Sequence, residues 1–242
     1  MSVSTDLYNK LAPYYRKYSE KNALYLEKVN KLVCEWLPNT PFSMIDLGTG
    51  DGVRIQKIIS QHDPSPDPIV LVDNSEEMID LAKNIQFSHI CQQDFSLEGF
   101  HLEQKFDIVC CLWNVLGHID GTNLKQALLN MKNLLKDNGS IILDINNRQN
   151  IKQYGKHALL NIWKDLLFST PQNGDIFFRM QSDKLVIPSF VHLFSKKEIE
   201  FYFKQAGLSI KERIYINYKT GQREKLSYCG QLFYVLGKND RL

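Results

Sequence analysis

A short apolar run that ends in three alternating glycines constrains the fold of this chain more than any other feature. The run covers Ser43–Leu47, and the glycines follow at positions 48, 50 and 52. A second apolar run, Ile69–Val72, ends in Asp73, 21 residues after the last of these glycines. A strand, a glycine turn, a helix, a second strand and an acid are the parts of a nucleoside-binding βαβ unit. We therefore expect the backbone to approach a ligand at the glycines and Asp73 to accept the hydroxyls of a ribose.

The composition fits one α/β unit and gives little support to nucleic-acid or membrane partners. The chain has 242 residues, of which 43% are hydrophobic, so it can bury a sizeable core. A net charge of +2 is too small to favour nucleic acid. No apolar run approaches the ~20 residues that span a bilayer, and the N-terminus lacks a secretory pattern. The five cysteines match no zinc spacing. We expect a cytoplasmic protein with free thiols and no metal, as a monomer or a homodimer.

The order of apolar patterns predicts a Rossmann-like fold. We expect a mostly parallel, seven-stranded sheet with helices on both faces, an antiparallel last strand, and a small insertion after the fifth strand. The third strand is expected near Ser88–Gln92. Thr122 is expected to open a helix that Gly139 ends, because these residue types are common at helix boundaries.

The same patterns divide the chain into four segments. Residues 1–40 are interpreted as an N-terminal helical lid that Pro13 breaks, and residues 41–150 as the cofactor-binding βα core. Residues 151–194 interrupt the alternation and are interpreted as an acceptor-covering insertion that contains two antiparallel strands. Residues 195–242 supply a last helix, with a capping box at Ser195, and the antiparallel strand pair that completes the core.

The charges beside the glycine turn favour a cationic ligand over a dinucleotide. A dinucleotide site has the pattern G-x-G-x-x-G/A and leaves a helix N-terminus free for pyrophosphate. Here the third glycine comes one residue early and Val53 occupies the usual small position. Asp46 and Asp51 add carboxylates, and like charges ~4 Å apart repel by about 4 kcal/mol near a surface. S-adenosylmethionine carries a sulfonium and an ammonium and no phosphate, so it suits this turn better.

Four segments in order resemble the motifs of class I S-adenosylmethionine-dependent methyltransferases. They are 46–52, with the sequence DLGTGDG, then 72–78 (VDNSEEM), 92–95 (QQDF) and 106–109 (FDIV). The resemblance implies S-adenosyl-L-methionine as cofactor and a ribose bound by Asp73, with Met78 against the adenine. It also implies that Asp94 accepts the adenine amino group beside Phe95. The implied cofactor-binding set is Asp46, Gly48, Thr49, Gly50, Asp73, Asn74, Met78, Asp94, Phe95, Leu112 and Trp113.

The loop after the fourth strand resembles that of small-molecule N-methyltransferases of the glycine and sugar-amine types. By this resemblance His118 lies near the acceptor and takes or relays a proton, and Tyr14 is a lid residue. The interval between Tyr14 and Tyr25 matches that of the sugar-amine enzymes, although Tyr15 or Tyr18 could fill the same role.

Four polar residues on the ligand-bearing edge of the sheet are candidates for substrate binding: Asn114, Asn146, Arg148 and His192. The guanidinium of Arg148 could hold a carboxylate or a phosphate with two hydrogen bonds.

The sequence thus predicts a methyltransferase for a small-molecule acceptor, with an amine first and a hydroxyl or carboxyl next. An RNA or modified-nucleoside methyltransferase is a second reading, which the near-neutral charge disfavours. A cofactor-binding scaffold without turnover is a third. Methyl transfer needs alignment, exclusion of water and a free lone pair on the nucleophile, because the hard chemistry belongs to the cofactor.

Overall fold

An eight-stranded sheet forms the centre of the molecule in the computed structural model, which describes residues 3–85, 89–168, 170–182 and 185–239. The strands of the described residues are β1 (Met44–Leu47), β2 (Ile69–Asp73), β3 (His89–Gln92), β4 (Phe106–Cys111), β5 (Leu135–Ile145), β6 (Asp175–Ser182), β7 (Leu185–His192), β8 (Leu208–Ile216), β9 (Arg223–Glu224) and β10 (Gln231–Lys238). The main sheet has the order β3-β2-β1-β4-β5-β10-β8-β9, and β6 and β7 form a separate antiparallel pair.

The sheet is parallel from β3 to β5 and becomes antiparallel at β10. β10 runs antiparallel to both of its neighbours, β5 and β8. The predicted Rossmann-like fold with an antiparallel last strand is therefore confirmed. Seven strands of the main sheet have four or more residues, and the two-residue β9 adds an eighth at the edge that the sequence did not indicate.

Helices cover both faces of the sheet. Within the described residues they are α1 (Val3–Leu11), α2 (Tyr15–Glu20), α3 (Ala23–Cys34), α4 (Val53–Ile59), α5 (Glu76–Ala82), α6 (Leu124–Leu134), α7 (Ile151–Tyr154), α8 (Lys156–Leu167) and α9 (Lys196–Gln205). Alternate strand residues divide the core into two layers, because neighbouring strand side chains point to opposite faces. α6 and α9 pack on one layer, and α3 and α4 pack on the other.

The first five strands end at one edge of the sheet, and this edge carries the loops of the candidate site. Parallel strands bring their carboxyl ends together, and ligands of open α/β sheets bind there. The insertion predicted over 151–194 contributes α7, α8 and the β6–β7 hairpin. α1 packs against β7, so the N-terminal helices and the hairpin meet above this edge.

Two boundaries differ from the sequence-based expectation, and a third falls on a residue that the structure does not describe. α6 begins at Leu124, because Thr122 donates its backbone N–H and its hydroxyl to Asp120 in the preceding turn. Gly139 does not end α6 but lies inside β5, where a Cβ would come within 2.8 Å of the carbonyl oxygen of Asp107. Ser88, expected in the third strand, lies outside the described residues.

Candidate active site

The glycine turn presents bare backbone to a cavity at the sheet edge. Gly48, Gly50 and Gly52 have φ values of +73°, +61° and +72°, a region that side chains with a Cβ rarely adopt. A Cβ on Gly48 would lie 2.6 Å from both methyl groups of Val115, and a Cβ on Gly50 would lie 3.0 Å from the Tyr15 hydroxyl. Glycine is therefore required at both positions by conformation and by space.

Asp73 is held at the end of β2 with its carboxylate toward this turn. Its Oδ2 accepts the N–H of Gly50 at 2.8 Å and its Oδ1 accepts the N–H of Ser75 at 2.9 Å. Each oxygen keeps a further lone pair, so the pair can still accept two hydroxyl groups of a ligand. Burial raises the pKa of Asp73, although the N–H groups of Ser75 and Gly50 oppose this shift.

Asp94 follows β3, and its carboxylate, like that of Asp73, is held by hydrogen bonds from nearby residues. Its Oδ1 accepts the backbone N–H and the hydroxyl of Ser96 at 2.9 and 2.6 Å, and its Oδ2 lies 3.4 Å from Nδ2 of Asn74. The two acids, at the ends of neighbouring strands, thus border one space.

A cavity with about 620 Å³ of empty space lies over these groups; we name it the nucleoside cavity. Eight of the residues assigned to the cofactor line it: Gly48, Gly50, Asp73, Asn74, Asp94, Phe95, Leu112 and Trp113. Its other walls include Tyr8, Tyr15, Val115 and His118.

Charged groups below the turn suit a cationic ligand with a carboxylate. Asp46 is buried, its Oδ1 has no hydrogen-bond partner among the described residues, and burial raises its pKa to about 7. Both terminal nitrogens of Arg54 also lack a hydrogen-bond partner there, and Nη2 lies 3.7 Å from Oδ1 of Asp144. Asp51 is paired with Arg16 at 3.2 Å, so its charge is offset by the protein.

A strained loop after β4 connects this cavity with a second one. Trp113 and Asn114 have φ values of +66° and +61°, which cost roughly 1–3 kcal/mol each and need support. Asp144 at the end of β5 supplies it: Oδ1 accepts the N–H of Trp113 at 2.7 Å, and its carbonyl accepts the N–H of Asn114 at 3.0 Å. Tyr25 closes the arrangement by donating its hydroxyl to Oδ2 of Asp144 at 2.7 Å.

The second cavity, of about 560 Å³, lies between the N-terminal helices, the strained loop and the β6–β7 hairpin; we name it the aromatic cavity. Its aromatic walls are Tyr8, Tyr18, Trp113, Phe178 and Tyr218, and its polar lining residues are Asn114, His118 and Asn146. Tyr8, Trp113 and His118 line both cavities. A ligand in the aromatic cavity would therefore contact the same three side chains as one in the nucleoside cavity.

His118 is a neutral ring with one free nitrogen. Its Nδ1 lies 3.1 Å from the carbonyl oxygen of Phe190, which can only accept, so Nδ1 carries the proton and Nε2 carries a lone pair. Burial lowers the pKa of His118 to about 4. The edge of its ring meets the Tyr8 ring with centroids 5.4 Å apart.

Two of the predicted substrate residues instead join the insertion to the core. The guanidinium of Arg148 is buried and binds Asp165 of α8 at 2.8 Å, and it also donates to Glu198 of α9. His192 bridges Asp175 at 2.7 Å and Glu198 at 3.0 Å. Burial alone would lower the pKa of His192, but the hydrogen bonds and charges of these two carboxylates outweigh it and raise the pKa.

The remaining predicted site residues differ in their relation to these cavities. Tyr14 is 38% exposed and borders neither cavity, whereas the adjacent Tyr15 covers the glycine turn. The side chain of Met78 on α5 is fully buried in the protein interior, and Thr49 lies within the glycine turn itself. Asn114 and Asn146 line the aromatic cavity, and Oδ1 of Asn114 accepts the N–H of Asn146 at 2.8 Å.

Sequence reasoning missed Tyr8, Arg54 and Asp144. Tyr8 precedes Tyr15 by seven residues, which places two aromatic rings on one side of a helical segment, and this spacing was the available signal. Asp144 sits in an apolar strand two residues before Asn146, where a charged residue needs a partner. Nothing in the local sequence distinguishes Arg54 from a surface arginine.

Comparison with known proteins assigns the family. Residues 40–186, more than half of the chain, match the model of a family described as a methyltransferase domain. The chain belongs to this methyltransferase family. Its cofactor is S-adenosylmethionine, which the turn, the two acids and the unpartnered Asp46 oxygen fit.

Two relatives share sequence with this chain over different lengths. An uncharacterized protein of Methanocaldococcus jannaschii is 25% identical over 225 residues, which cover 92% of this chain and 83% of the relative. A protein-lysine N-methyltransferase of Schizosaccharomyces pombe is 28% identical over 96 residues, 33% of this chain and 40% of that protein.

A solved structure shares the fold over nearly the whole chain. The 1,6-didemethyltoxoflavin-N1-methyltransferase of Burkholderia thailandensis, with bound 1,6-didemethyltoxoflavin and S-adenosylhomocysteine, superposes with a TM-score of 0.66 at 14% identity. The match covers 98% of this chain and 88% of that chain.

Two further observations concern the described residues only. None of their helices has the length and apolarity needed to cross a bilayer. Within the same ranges, no three or more side chains of histidine, cysteine, aspartate or glutamate come together as metal ligands.

Proposed function

We propose that this methyltransferase transfers a methyl group from S-adenosylmethionine to a nitrogen of a small molecule held in the aromatic cavity. The observation that carries the proposal is the pair of adjoining cavities with three shared walls, Tyr8, Trp113 and His118. One cavity has acids and bare glycine backbone suited to the cofactor. The other lies between the N-terminal helices and the insertion and is lined mainly by aromatic and amide side chains.

The residues that would hold the cofactor follow from their positions around the nucleoside cavity. Asp73 would accept the ribose hydroxyls with the lone pairs that Gly50 and Ser75 leave free. Asp94, Asn74 and Phe95 would surround the adenine.

The methionyl part would pass beside Leu112 and Trp113. Asp46 would face its cationic groups and Arg54 its carboxylate, because both have buried polar atoms without hydrogen-bond partners among the described residues.

The protein itself has to align the acceptor, exclude water and leave a lone pair available. S-adenosylmethionine supplies a methyl group on a positively charged sulfur, whose bond to carbon breaks, with its electron pair returning to sulfur, as the acceptor lone pair forms the new bond. The rings of Tyr8, Tyr15 and Trp113 would keep water from this point. Nε2 of His118 would accept a hydrogen bond from the acceptor N–H and then its proton.

The lining of the aromatic cavity discriminates between the alternative acceptors. A carboxylate would find no lysine or arginine among the described residues that line this cavity. A hydroxyl could donate a hydrogen bond to His118 in the same way as an N–H. O-methylation is therefore the alternative that the lining of this cavity disfavours least. A scaffold without turnover would not need a second cavity that meets the cofactor at His118.

Methyl transfer with methyl-labelled S-adenosylmethionine tests the proposal. The purified chain is incubated with a panel of small amines, alcohols and carboxylic acids, and the small-molecule, protein and RNA fractions are counted separately. We expect label in the small-molecule fraction, on nitrogen. Label confined to protein or RNA would refute the proposal.

A matched pair of histidine variants locates the chemistry. His118→Gln should lower turnover at least about tenfold, the size of a lost general-base contribution, while cofactor binding measured by calorimetry stays unchanged. His101→Gln changes an exposed histidine in the loop before β4 and should leave both unchanged. Equal turnover of the two variants would remove His118 from the mechanism.

A further inference from the structure

We infer that the acceptor is an uncharged, flat aromatic or heteroaromatic molecule that offers an N–H to His118 and a hydrogen-bond acceptor atom to Asn114. This inference rests on the proposed function and narrows its substrate class. It excludes two other types of methyl acceptor. One type is aliphatic amines, which are ammonium ions at neutral pH, and the other is anionic molecules. Three independent features of the aromatic cavity support it.

The first feature is the charge of the lining. None of the described residues that line the aromatic cavity is an aspartate, glutamate, lysine or arginine, and five are aromatic. An ion buried there would lose its hydration without gaining a partner of opposite charge, which is strongly unfavourable. Aromatic faces do attract cations, but an ammonium has no lone pair for the methyl group and would be repelled by the positive cofactor next to it.

The second feature is an unsatisfied donor. Asn114 is 2% exposed and lines the aromatic cavity. Because Oδ1 of Asn114 accepts the N–H of Asn146, the other end of the amide is fixed as Nδ2, and it has no hydrogen-bond partner among the described residues. A buried donor without a partner is costly. A carbonyl oxygen or an unprotonated ring nitrogen of the acceptor would satisfy it.

The third feature is the state of His118. Its protonated Nδ1 is engaged with Phe190, which leaves Nε2 as a lone pair for the acceptor N–H. Burial lowers its pKa to about 4, so it is a weak base. Taking a proton from an alkylammonium, whose pKa is about 10, would be uphill by roughly six powers of ten.

An aromatic amine avoids this mismatch. Its lone pair is partly delocalised into the ring, so the free amine is neutral at pH 7 and its protonated form is a far stronger acid than an alkylammonium. As its nitrogen bonds to the methyl carbon and the carbon–sulfur electron pair returns to sulfur, the N–H proton becomes acidic. Even a weak base such as Nε2 of His118 can then accept it and pass it to solvent.

Three probes that share one benzene ring separate these acceptor types. Aminobenzamide has an aromatic amine and a carbonyl acceptor, aminomethylbenzamide has the same carbonyl and an ammonium, and aminobenzoate has an anion in place of the amide. Binding of each to the protein loaded with S-adenosylhomocysteine is measured by calorimetry, which does not depend on turnover. We expect aminobenzamide to bind at least about tenfold more tightly than either ionic probe.

Asn114→Asp reverses the polarity of the cavity without changing its shape. Aspartate tolerates the positive φ of this position and keeps an oxygen for the N–H of Asn146. We expect the variant to bind aminomethylbenzamide better than aminobenzamide and S-adenosylhomocysteine as before. Tighter binding of either ionic probe by the original protein, binding of none of the probes, or an unchanged preference in the variant would overturn the inference.

The proposed function and the proposed acceptor class can be refuted separately. If methyl label enters small molecules but prefers aliphatic amines, the proposed function stands and the acceptor class is wrong. If label enters only protein or RNA, the proposed function fails whatever the probes do.

Discussion

Cofactor binding should release a proton from Asp46, and this gives a pH-dependent affinity that can be calculated. Asp46 is buried below the glycine turn, and burial raises its pKa to about 7 in the protein without ligand. Asp73 and Arg54 are the charged groups that act on it there. A cationic group of S-adenosylmethionine near the unpartnered Oδ1 would stabilise the carboxylate and lower the pKa.

The sign and size of the effect follow from linkage. Because the pKa is lower in the complex than in the free protein, binding expels a proton and weakens as the pH falls below 7. If the pKa drops from about 7 to about 4.5, the dissociation constant should rise by about 15-fold between pH 7.0 and pH 5.5. His118, with a pKa near 4, stays neutral over this interval and does not contribute.

Isothermal titration of S-adenosylmethionine at several pH values measures the affinity directly. Repeating it in buffers of different ionisation enthalpy counts the protons released, and about half a proton or more is expected near pH 6.5. Asp46→Asn should flatten the pH dependence and release none. Asp137→Asn alters a carboxyl whose side chain is 90% exposed and should behave like the original protein. The same slope in Asp46→Asn as in the original would refute the reasoning.

Two further predictions concern the turn and the ion pairs behind the insertion. Gly48→Ala should abolish measurable cofactor binding, because its Cβ would lie 2.6 Å from Val115 at a φ of +73°. Gly99→Ala is the control: its Cβ would have nothing within 4 Å, so this variant should bind the cofactor normally in the same titration. Arg148→Met should lower the free energy of unfolding in urea by roughly 3–5 kcal/mol, since Asp165 and Glu198 both lose their buried guanidinium partner, whereas Arg223→Met at an exposed pair should change it by less than about 1 kcal/mol. Equal loss of cofactor affinity in Gly48→Ala and Gly99→Ala, or equal loss of stability in Arg148→Met and Arg223→Met, would contradict these predictions.

The cofactor half of the site could be predicted from the sequence because its signals are local. Each group there follows directly on a strand: the glycine turn on β1, Asp73 at the end of β2 and Asp94 just after β3. In a parallel sheet these ends share one edge, so strand order and spacing were enough to bring the groups together. The capping box at Ser195 and the antiparallel end of the sheet were predictable for the same reason.

The acceptor half could not be predicted because its walls come from distant parts of the chain. The aromatic cavity combines residues near positions 8, 18, 113, 178 and 218, which no local pattern connects. A one-residue shift also matters in a helical segment, since neighbouring side chains point about 100° apart. This is why Tyr15 covers the turn while Tyr14 faces solvent.

Arg148 and His192 illustrate a second limit of sequence reasoning. Polar side chains that leave a strand at the ligand edge can serve a substrate or the protein, and their identity does not distinguish the two. Their partners decide the matter here: Asp165, Asp175 and Glu198 lie on the insertion and on α9. The same charges that suggested recognition of an anion are already neutralised by carboxylates of the chain itself.

The geometry of methyl transfer depends on the loop that joins the two cavities. Trp113 lines both cavities and Asn114 lines the aromatic cavity, and both adopt a backbone conformation that is unfavourable for residues with a Cβ. Asp144 holds the loop through two backbone N–H groups, and Tyr25 completes the hydrogen bonding of its carboxylate. Because Tyr25 belongs to α3 and Asp144 to β5, the position of the acceptor relative to the methyl donor is set by the core of the fold. In the proposed function, the N-terminal helices and the β6–β7 hairpin then select which molecule enters, and for that selection the chain presents an amide donor and a neutral imidazole rather than a charge.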